Sequence, residues 1–240
     1  MENSLTIALA RQSVLERQMD VIATNLANLE TAGFKSEHMI FAELVQKTSD
    51  GEFLSIVHDV SFVRDLTEGP MTGTQSPLDL AIRGDGYFVV DTPDGKRYTR
   101  HGVFQLDNTG NIVTTGGHPV LGSSGAPIAI PLDASTITIT RDGTISADAN
   151  EIGRIKLVRF DDRQALSKVG SGLYDAKDQT PRPANGAEVL QGMVESSNVK
   201  GVVEMTRMID TVRSYQAAAK LIDTEHRRIL DAIEALTTPV

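Results

Sequence analysis

The chain has five histidines, His38, His58, His101, His118 and His226. None is paired with another at the His-x-x-x-His interval that puts two imidazoles on one helix face. Each reads as a structural or surface residue rather than a metal ligand. There are no cysteines, so thiolate metal sites and disulfides are excluded. Gly84-Asp85-Gly86 opens like a dinucleotide loop but lacks the third glycine and the helix that must follow, and it suits a hairpin turn better. Gly122-Ser123-Ser124-Gly125 is not the Gly-x-Ser-x-Gly of a nucleophile elbow. Asp107-Asn108-Thr109-Gly110-Asn111 carries calcium-type oxygens, but at the wrong spacing and without the distal Glu. No carboxylate pair stands out in an acid/base context. The reading is a non-enzyme with no catalytic residue, no cofactor and no metal.

With chemistry set aside, the residues that position the chain carry the information. Leu5, Ala8, Leu15, Met19, Ile22, Leu26 and Leu29 follow one another at heptad steps, with Gln12 the polar break. Met205, Met208, Val212, Tyr215, Ala219, Ile222, Ile229, Ile233 and Leu236 do the same at the other end, with His226 the break. A narrow apolar stripe on a long, otherwise charged helix needs another helix to cover it. None of the 20 glycines falls in residues 1–32 or 202–240, and eight of the nine prolines lie between residues 70 and 183. Both residue types disfavour helix interiors. The layout is therefore helix, β body, helix.

The first helix is expected to start at Asn3 or Ser4, to stop near Thr31 and to be closed by a left-handed Gly33. The second is expected to run from a cap at Asn198 to about Leu236. Their local charge pairs contribute only a few tenths of a kcal/mol each, so packing must stabilise them. Between them, Asx-Gly turns at Asp50, Asp85, Asp94, Asp142 and Asn185 separate short β-rich runs. The runs are 57–66, 78–82, 87–91, 96–99, 103–106, 111–114, 136–140 and 152–160, a spacing that suits a sandwich or open barrel. Phe41, Leu44 and Val45 fit either a short helix or an extended linker. The fold class is α+β: long terminal helices forming a coiled-coil-like element, with a central mainly-β domain. The expected divisions are 1–34 (helix), 35–55 (connector), 56–175 (body), 176–197 (connector) and 198–240 (helix).

Charge and composition exclude other classes. The net charge of −9 opposes phosphate-backbone binding, and Trp is absent, so no nucleic-acid partner is expected. No apolar run reaches the roughly 20 residues that span a bilayer, so lipid insertion is not expected. Met-Glu-Asn-Ser has no basic n-region and no apolar h-region follows, so no cleaved secretory signal is expected.

Four stretches then carry a resemblance. Asn25-Leu26-Ala27-Asn28 followed by Thr31-Ala32-Gly33-Phe34-Lys35 resembles the N-terminal signature of the bacterial flagellar rod and hook proteins. The stretch Arg11-Gln12 through Arg17-Gln18-Met19-Asp20 is more similar to proximal-rod members than to distal-rod or hook members. Leu78–Val90 and Tyr98–Phe104 are similar to the family's central motifs. Glu195-Ser196-Ser197-Asn198-Val199 and Met205 through Tyr215-Gln216 are similar to the start of its terminal helix. Thr6 and Thr24 depart from the usual residues without breaking the stripe. Gly201 sits inside a helix start.

The resemblance implies a structural subunit of the basal-body rod, on the proximal side. It would be exported through the flagellar type III apparatus and polymerised with other proximal and distal rod subunits in the periplasm, where it transmits torque. It also marks Thr31, Gly33 and Phe34 as the motif turn. Asn25 and Asn28 flank the first seam, where buried amides set register between helices. The two stripes are then polymerisation seams. The rivals are a distal-rod or other axial subunit, a cell-wall hydrolase or carbohydrate-binding module, and a free-standing trimeric fibre.

Overall fold

The computed structural model describes residues 2–47, 53–148 and 150–237. Two helices, α1 (Glu2–Ala27) and α2 (Gly201–Thr237), flank a mainly-β chain. The strands are β1 (Glu37–Lys47), β2 (Phe53–Arg64), β3 (Met71–Gly73), β4 (Leu80–Arg83), β5 (Tyr87–Thr92), β6 (Gly95–Thr99), β7 (Phe104–Leu106) and β8 (Ile112–Thr114). They continue as β9 (Ile137–Ile139), β10 (Thr144–Ala147), β11 (Asn150–Arg154), β12 (Leu157–Arg159), β13 (Ser167–Gly170), β14 (Leu173–Asp175), β15 (Arg182–Pro183), β16 (Glu188–Gln191) and β17 (Met193–Glu195). The chain divides into two compact units. One gathers α1, α2 and the segment Glu37–Arg64; the other is Asn28–Ser36 with Asp65–Val199.

In the helical unit, α1 packs on α2, and β1 and β2 pair antiparallel from Glu37 opposite Arg64 to Lys47 opposite Phe53. A bulge between Ala42 and Glu43 interrupts that register. The hairpin corrects the division read from sequence. Residues 35–55 are not a connector; most of their described part is a long strand that clusters with the helices. The turn at Asp50-Gly51 lies outside the described residues.

The body is built on a six-stranded antiparallel sheet ordered β13-β14-β6-β5-β12-β15. Strand β5 explains its layering. Phe88 and Val90 point to one side and Tyr87 and Val89 to the other, and all four are buried. Period-two alternation with both faces covered is the mark of a central strand. One side packs on Leu80, Ile82, Ile112, Val120, Ile130, Ile145 and Val189. The other packs on Tyr98, Leu121, Val158, Phe160 and Tyr174, with Tyr98 and Phe160 edge to face at 4.7 Å.

A sandwich or open barrel does not form as one unit. A three-stranded sheet, β11-β10-β9, and the pairs β16-β4, β17-β3 and β7-β8 complete the body. The run 152–160 splits into β11 and β12, and Ile155 between them bridges to Gly122 instead. Residues 176–197 are body rather than connector, because β16 and β17 pair with β4 and β3.

The turns of the body also set its acid response. Asp107 and Asp142 each accept hydrogen bonds from two neighbouring side chains, Thr109 with Asn111 and Thr140 with Thr144, which hold both carboxyls down to about 2. A depressed carboxyl stabilises the fold above its unfolded value and loses that contribution as pH falls through the folded one. Burial pushes the His101 imidazole below its ordinary 6.5, so protons that the unfolded chain takes up there are resisted by the fold. Melting temperature is therefore expected to fall in two stages, first below pH 6.5 and again between 3.8 and about 2. A melt series against pH checks this; His101→Gln should flatten the first stage and Asp142→Asn part of the second.

Candidate functional site

On α1 the buried apolar positions are Ala8, Leu15 and Ile22, one heptad apart, with Met19 and Leu26 half-buried between and after them. Gln12 is half-buried on the same face. Leu29 is half-buried beyond the helix end, and the Leu5 side chain lies outside the described residues. On α2 the buried positions are Glu204, Thr211 and Ala218, again one heptad apart, with Met208, Tyr215 and Ile222 half-buried between and after them. Asn25, near the end of α1, donates to Glu204 in the first turn of α2, and burial runs on from there along both helices. The pair is thus antiparallel.

Met208, Tyr215 and Ile222 belong to both faces, but Glu204, Thr211 and Ala218 take the places read for Met205, Val212 and Ala219, so the inward face of α2 is turned by about half a residue, or ~50°, from the stripe read in sequence. Val212 and Ala219 are half-buried at its flank; Met205, Ile229 and Ile233 are exposed, as is His226, and the Leu236 side chain lies outside the described residues. The cause is a polar clasp. Asn25 is fully buried; its Nδ2 donates to the Glu37 carbonyl at 2.8 Å and to Glu204 Oε2 at 3.2 Å, and its Oδ1 accepts from the Glu37 N–H at 2.9 Å. Arg207 donates to Glu204 Oε1 at 2.6 Å and sits 3.3 Å from His38 Nδ1. Glu204 is drawn inward, and Met205 is left outside. Helix α1 has 26 residues and α2 has 37, so the last turns of α2 extend past the start of α1. Ile229 and Ile233 are exposed there.

Asn28 differs from Asn25. Helix α1 ends at Ala27 rather than near Thr31, and Asn28 accepts from the Thr31 hydroxyl at 3.0 Å in the turn that follows. The Phe34 N–H closes that turn on the Thr31 carbonyl at 3.2 Å. The Phe34 ring lies 4.4 Å from the Lys168 ammonium. Gly33 has φ of +68°, and its N–H donates to the Glu195 carbonyl at 2.7 Å.

The body holds a charged junction that no single stretch of sequence reveals. Lys35, Arg100 and Glu195 are 5%, 4% and 1% exposed. Lys35 Nζ donates to Glu195 Oε1 at 2.6 Å and to the Thr67 carbonyl at 2.5 Å; the Gly69 N–H meets the same carboxylate oxygen at 3.0 Å. Arg100 Nε lies 3.3 Å from Glu195 Oε2, close enough to pair charges but off the hydrogen-bond direction. Its guanidinium also donates to the carbonyls of Gly84 and Ile82, and Glu68 stands 3.9 Å away. Burial lowers the Lys35 pKa, against the pull of Glu195. Asn198 does not cap α2, which begins at Gly201; its Oδ1 accepts from Ser36 N–H, and its Nδ2 donates to the Asp65 carbonyl at 2.9 Å. This one amide ties three chain segments.

Comparison with known proteins bears on all of these segments. Residues 5–35 match the flagella basal body rod protein family, 81–147 the D1 domain of flagellar hook protein FlgE/F/G, and 190–234 the C-terminal region of flagellar basal body rod FlgEFG proteins. The chain is 40% identical over 241 residues to flagellar basal-body rod protein FlgF of Caulobacter vibrioides, covering 98% of each. The chain belongs to the flagellar basal-body rod family. This rod protein is also 36% identical to FlgG of Bacillus subtilis, over 93% of its length and 95% of the relative's. It is 35% identical to FlgF of Escherichia coli, over 93% and 94%.

Each of the three matched regions supplies one member of the buried junction: Lys35, Arg100 and Glu195. The motifs of the rod family, far apart in sequence, meet at this point of the body. Sequence reading quotes these residues inside motifs and assigns them no role. Their one signal is that Lys35 and Arg100 stand beside or near the motif glycines, Gly33 and Gly102.

Proposed function

We propose that this rod subunit polymerises through its helical unit, its seams pairing coiled-coil fashion with those of other proximal and distal rod subunits. It reaches the periplasmic rod through the flagellar type III apparatus, sits on the proximal side and transmits torque. One observation supports this most. Among the described residues, every exposed large apolar side chain except Leu132 and Val169 belongs to α1, α2 or the β1–β2 hairpin, including Ile7, Leu9, Ile40, Phe62, Val202, Met205, Ile209 and Ile233. The body buries its apolar residues, whereas the helical unit presents them. Covering the exposed remainder of each such side chain contributes on the order of 1 kcal/mol. Contiguous apolar surface on a soluble chain marks an interaction site.

Met205 and Ile209 are 56% and 52% exposed, so lysine at both positions leaves the chain's own packing intact. The double variant Met205→Lys/Ile209→Lys is expected to fold with an unchanged melting temperature, to be missing from purified basal bodies and to abolish swimming. Wild-type swimming by this variant would sink the proposal.

A further inference from the structure

Asn185-Gly186 is the one Asn-Gly pair in the sequence. It occupies the turn between β15 and β16, closed by a 3.2 Å hydrogen bond from the Ala187 N–H to the Ala184 carbonyl. Asn185 and Gly186 are both exposed, and the space beside Gly186 is open. Among the described residues, neither the Asn185 side-chain amide nor the Gly186 N–H has a hydrogen-bond partner. Three other asparagines are held by their side chains. Asn111 donates to Asp107 at 3.0 Å and to Thr109 at 2.8 Å, and Asn25 and Asn198 are committed as described above.

We propose that Asn185 is a site of spontaneous deamidation in the folded protein, converting a neutral amide into a carboxylate on the lining of a cavity that Arg154 and Lys156 also line. Asparagine is among the chemically labile side chains. Hydroxide removes the Gly186 amide proton. The nitrogen attacks Asn185 Cγ, and a new C–N bond forms as the bond to the side-chain nitrogen breaks. That nitrogen leaves as ammonia, taking a proton from water. Water then opens the cyclic imide at either carbonyl, giving aspartate or, with the backbone rerouted through Cβ, isoaspartate. A side chain at residue 186 would hinder the attack, and a hydrogen bond to its N–H would compete with it; neither is present here. The Asn185 N–H donates to the Pro183 carbonyl at 3.0 Å, but among the described residues the Asn185–Gly186 peptide unit itself makes no backbone hydrogen bond, so it can rotate into reach.

The consequence is local and electrostatic. Asn185 lines a cavity of about 430 Å³ together with Arg154, Lys156 and Asp142. Arg154 already pairs loosely with Asp142 at 3.7 Å. A carboxylate at 185 would give this cavity a second anion to share between Arg154 and Lys156.

The test is to incubate the folded, full-length protein at mildly alkaline pH and digest it at intervals. Mass spectrometry and isomer-resolving chromatography then follow each asparagine-containing peptide. The expected result is the mass gain of an amide-to-acid exchange at residue 185, with isoaspartate present. Its rate should lie within an order of magnitude of that in the urea-unfolded chain and rise with pH. Asn111 should remain unchanged in the folded protein. The Asn185→Gln variant should lose the modification while keeping the same melting temperature, which fixes the assignment. Persistence of intact Asn185 in the folded protein while the unfolded chain converts would overturn the proposal.

Discussion

Replacing Glu195 by alanine is expected to destabilise the body by about 3–5 kcal/mol, the range found when one partner of a buried ion pair is removed. For a domain of this size that is a fall of roughly 10 °C or more in melting temperature. Among the described residues Glu195 is the only fully buried carboxylate facing Lys35 and Arg100, and Glu68, the other nearby acid, is 40% exposed and 3.9 Å from the guanidinium. Without Glu195 the Lys35 ammonium keeps only the Thr67 carbonyl. The Gly69 N–H loses its acceptor. Lys35→Met is expected to cost less, because it leaves Glu195 facing Arg100 and restores apolar volume. In the double variant Lys35→Met/Glu195→Ala one stranded cation is gone, so the loss should be smaller than the sum of the two by about 1 kcal/mol or more. Urea denaturation of the four proteins measures this cycle. A Glu195→Ala loss of under about 0.5 kcal/mol, the range of surface substitutions, would show that the junction does not hold the body together.

The junction also explains why assembly should depend on it. Segment 28–36 leads out of α1 and residue 200 leads into α2, and both chain ends of the body are fixed here: Gly33 on the Glu195 carbonyl, Ser36 on Asn198, Lys35 on the Glu195 carboxylate. Hydrogen bonds to charged groups in a dry site are stronger than exposed ones and poorly replaced by water.

How much of this could be read from residues alone depends on what each residue says about its neighbours. The inward face of α1 is legible because Ala8, Leu15 and Ile22 are apolar on a charged helix, and periodicity reports that contrast. The inward face of α2 is not, because it begins with Glu204 and Thr211; a hydrophobic reading selects Met205 and lands one residue away. Glu204 turns inward there because Asn25 meets it across the two helices, a pairing with no sequence period, and the (i, i+3) spacing of Arg207 from Glu204 does not by itself report burial.

In the body, β5 and β6 are legible as a hairpin around Asp94-Gly95, since turn and strands are adjacent. Strands β16 and β17 are not, because their partners β4 and β3 lie about a hundred residues earlier and their own residues are half polar. The hairpin strand β1 carries Phe41, Leu44 and Val45 at a spacing that suits a helix, and only its pairing with β2 decides for strand. Lys35, Arg100 and Glu195 are the extreme case. A lone charged residue reads as solvated surface, and burial of all three becomes apparent only when the fold brings them together.

Gly33 separates two physical causes that sequence reading merges. As a helix-closing glycine it is expected to tolerate asparagine, which enters the left-handed region at small cost. Its φ of +68° is left-handed, but α1 ends at Ala27, so Gly33 closes no helix and serves the turn beyond it. A Cβ built at Gly33, however, would stand 2.5 Å from both the carbonyl carbon and oxygen of Arg100 and 2.8 Å from the His101 nitrogen. These are backbone atoms, held by the Arg100 side chain in the buried junction, so they cannot swing aside as a flexible side chain would. Gly33→Ala and Gly33→Asn are therefore both expected to destabilise the body by about 3 kcal/mol or more, as strained and overpacked sites do. If dihedral preference were the whole cause, Gly33→Asn would cost about 1 kcal/mol or less and Gly33→Ala clearly more. Chemical denaturation of the two variants distinguishes the cases: equal, large losses identify close approach to Arg100, and a near-native Gly33→Asn protein identifies the dihedral alone. Close approach also predicts that Gly33→Asn fails to support swimming, because the junction that fixes the α1 connection is forced open.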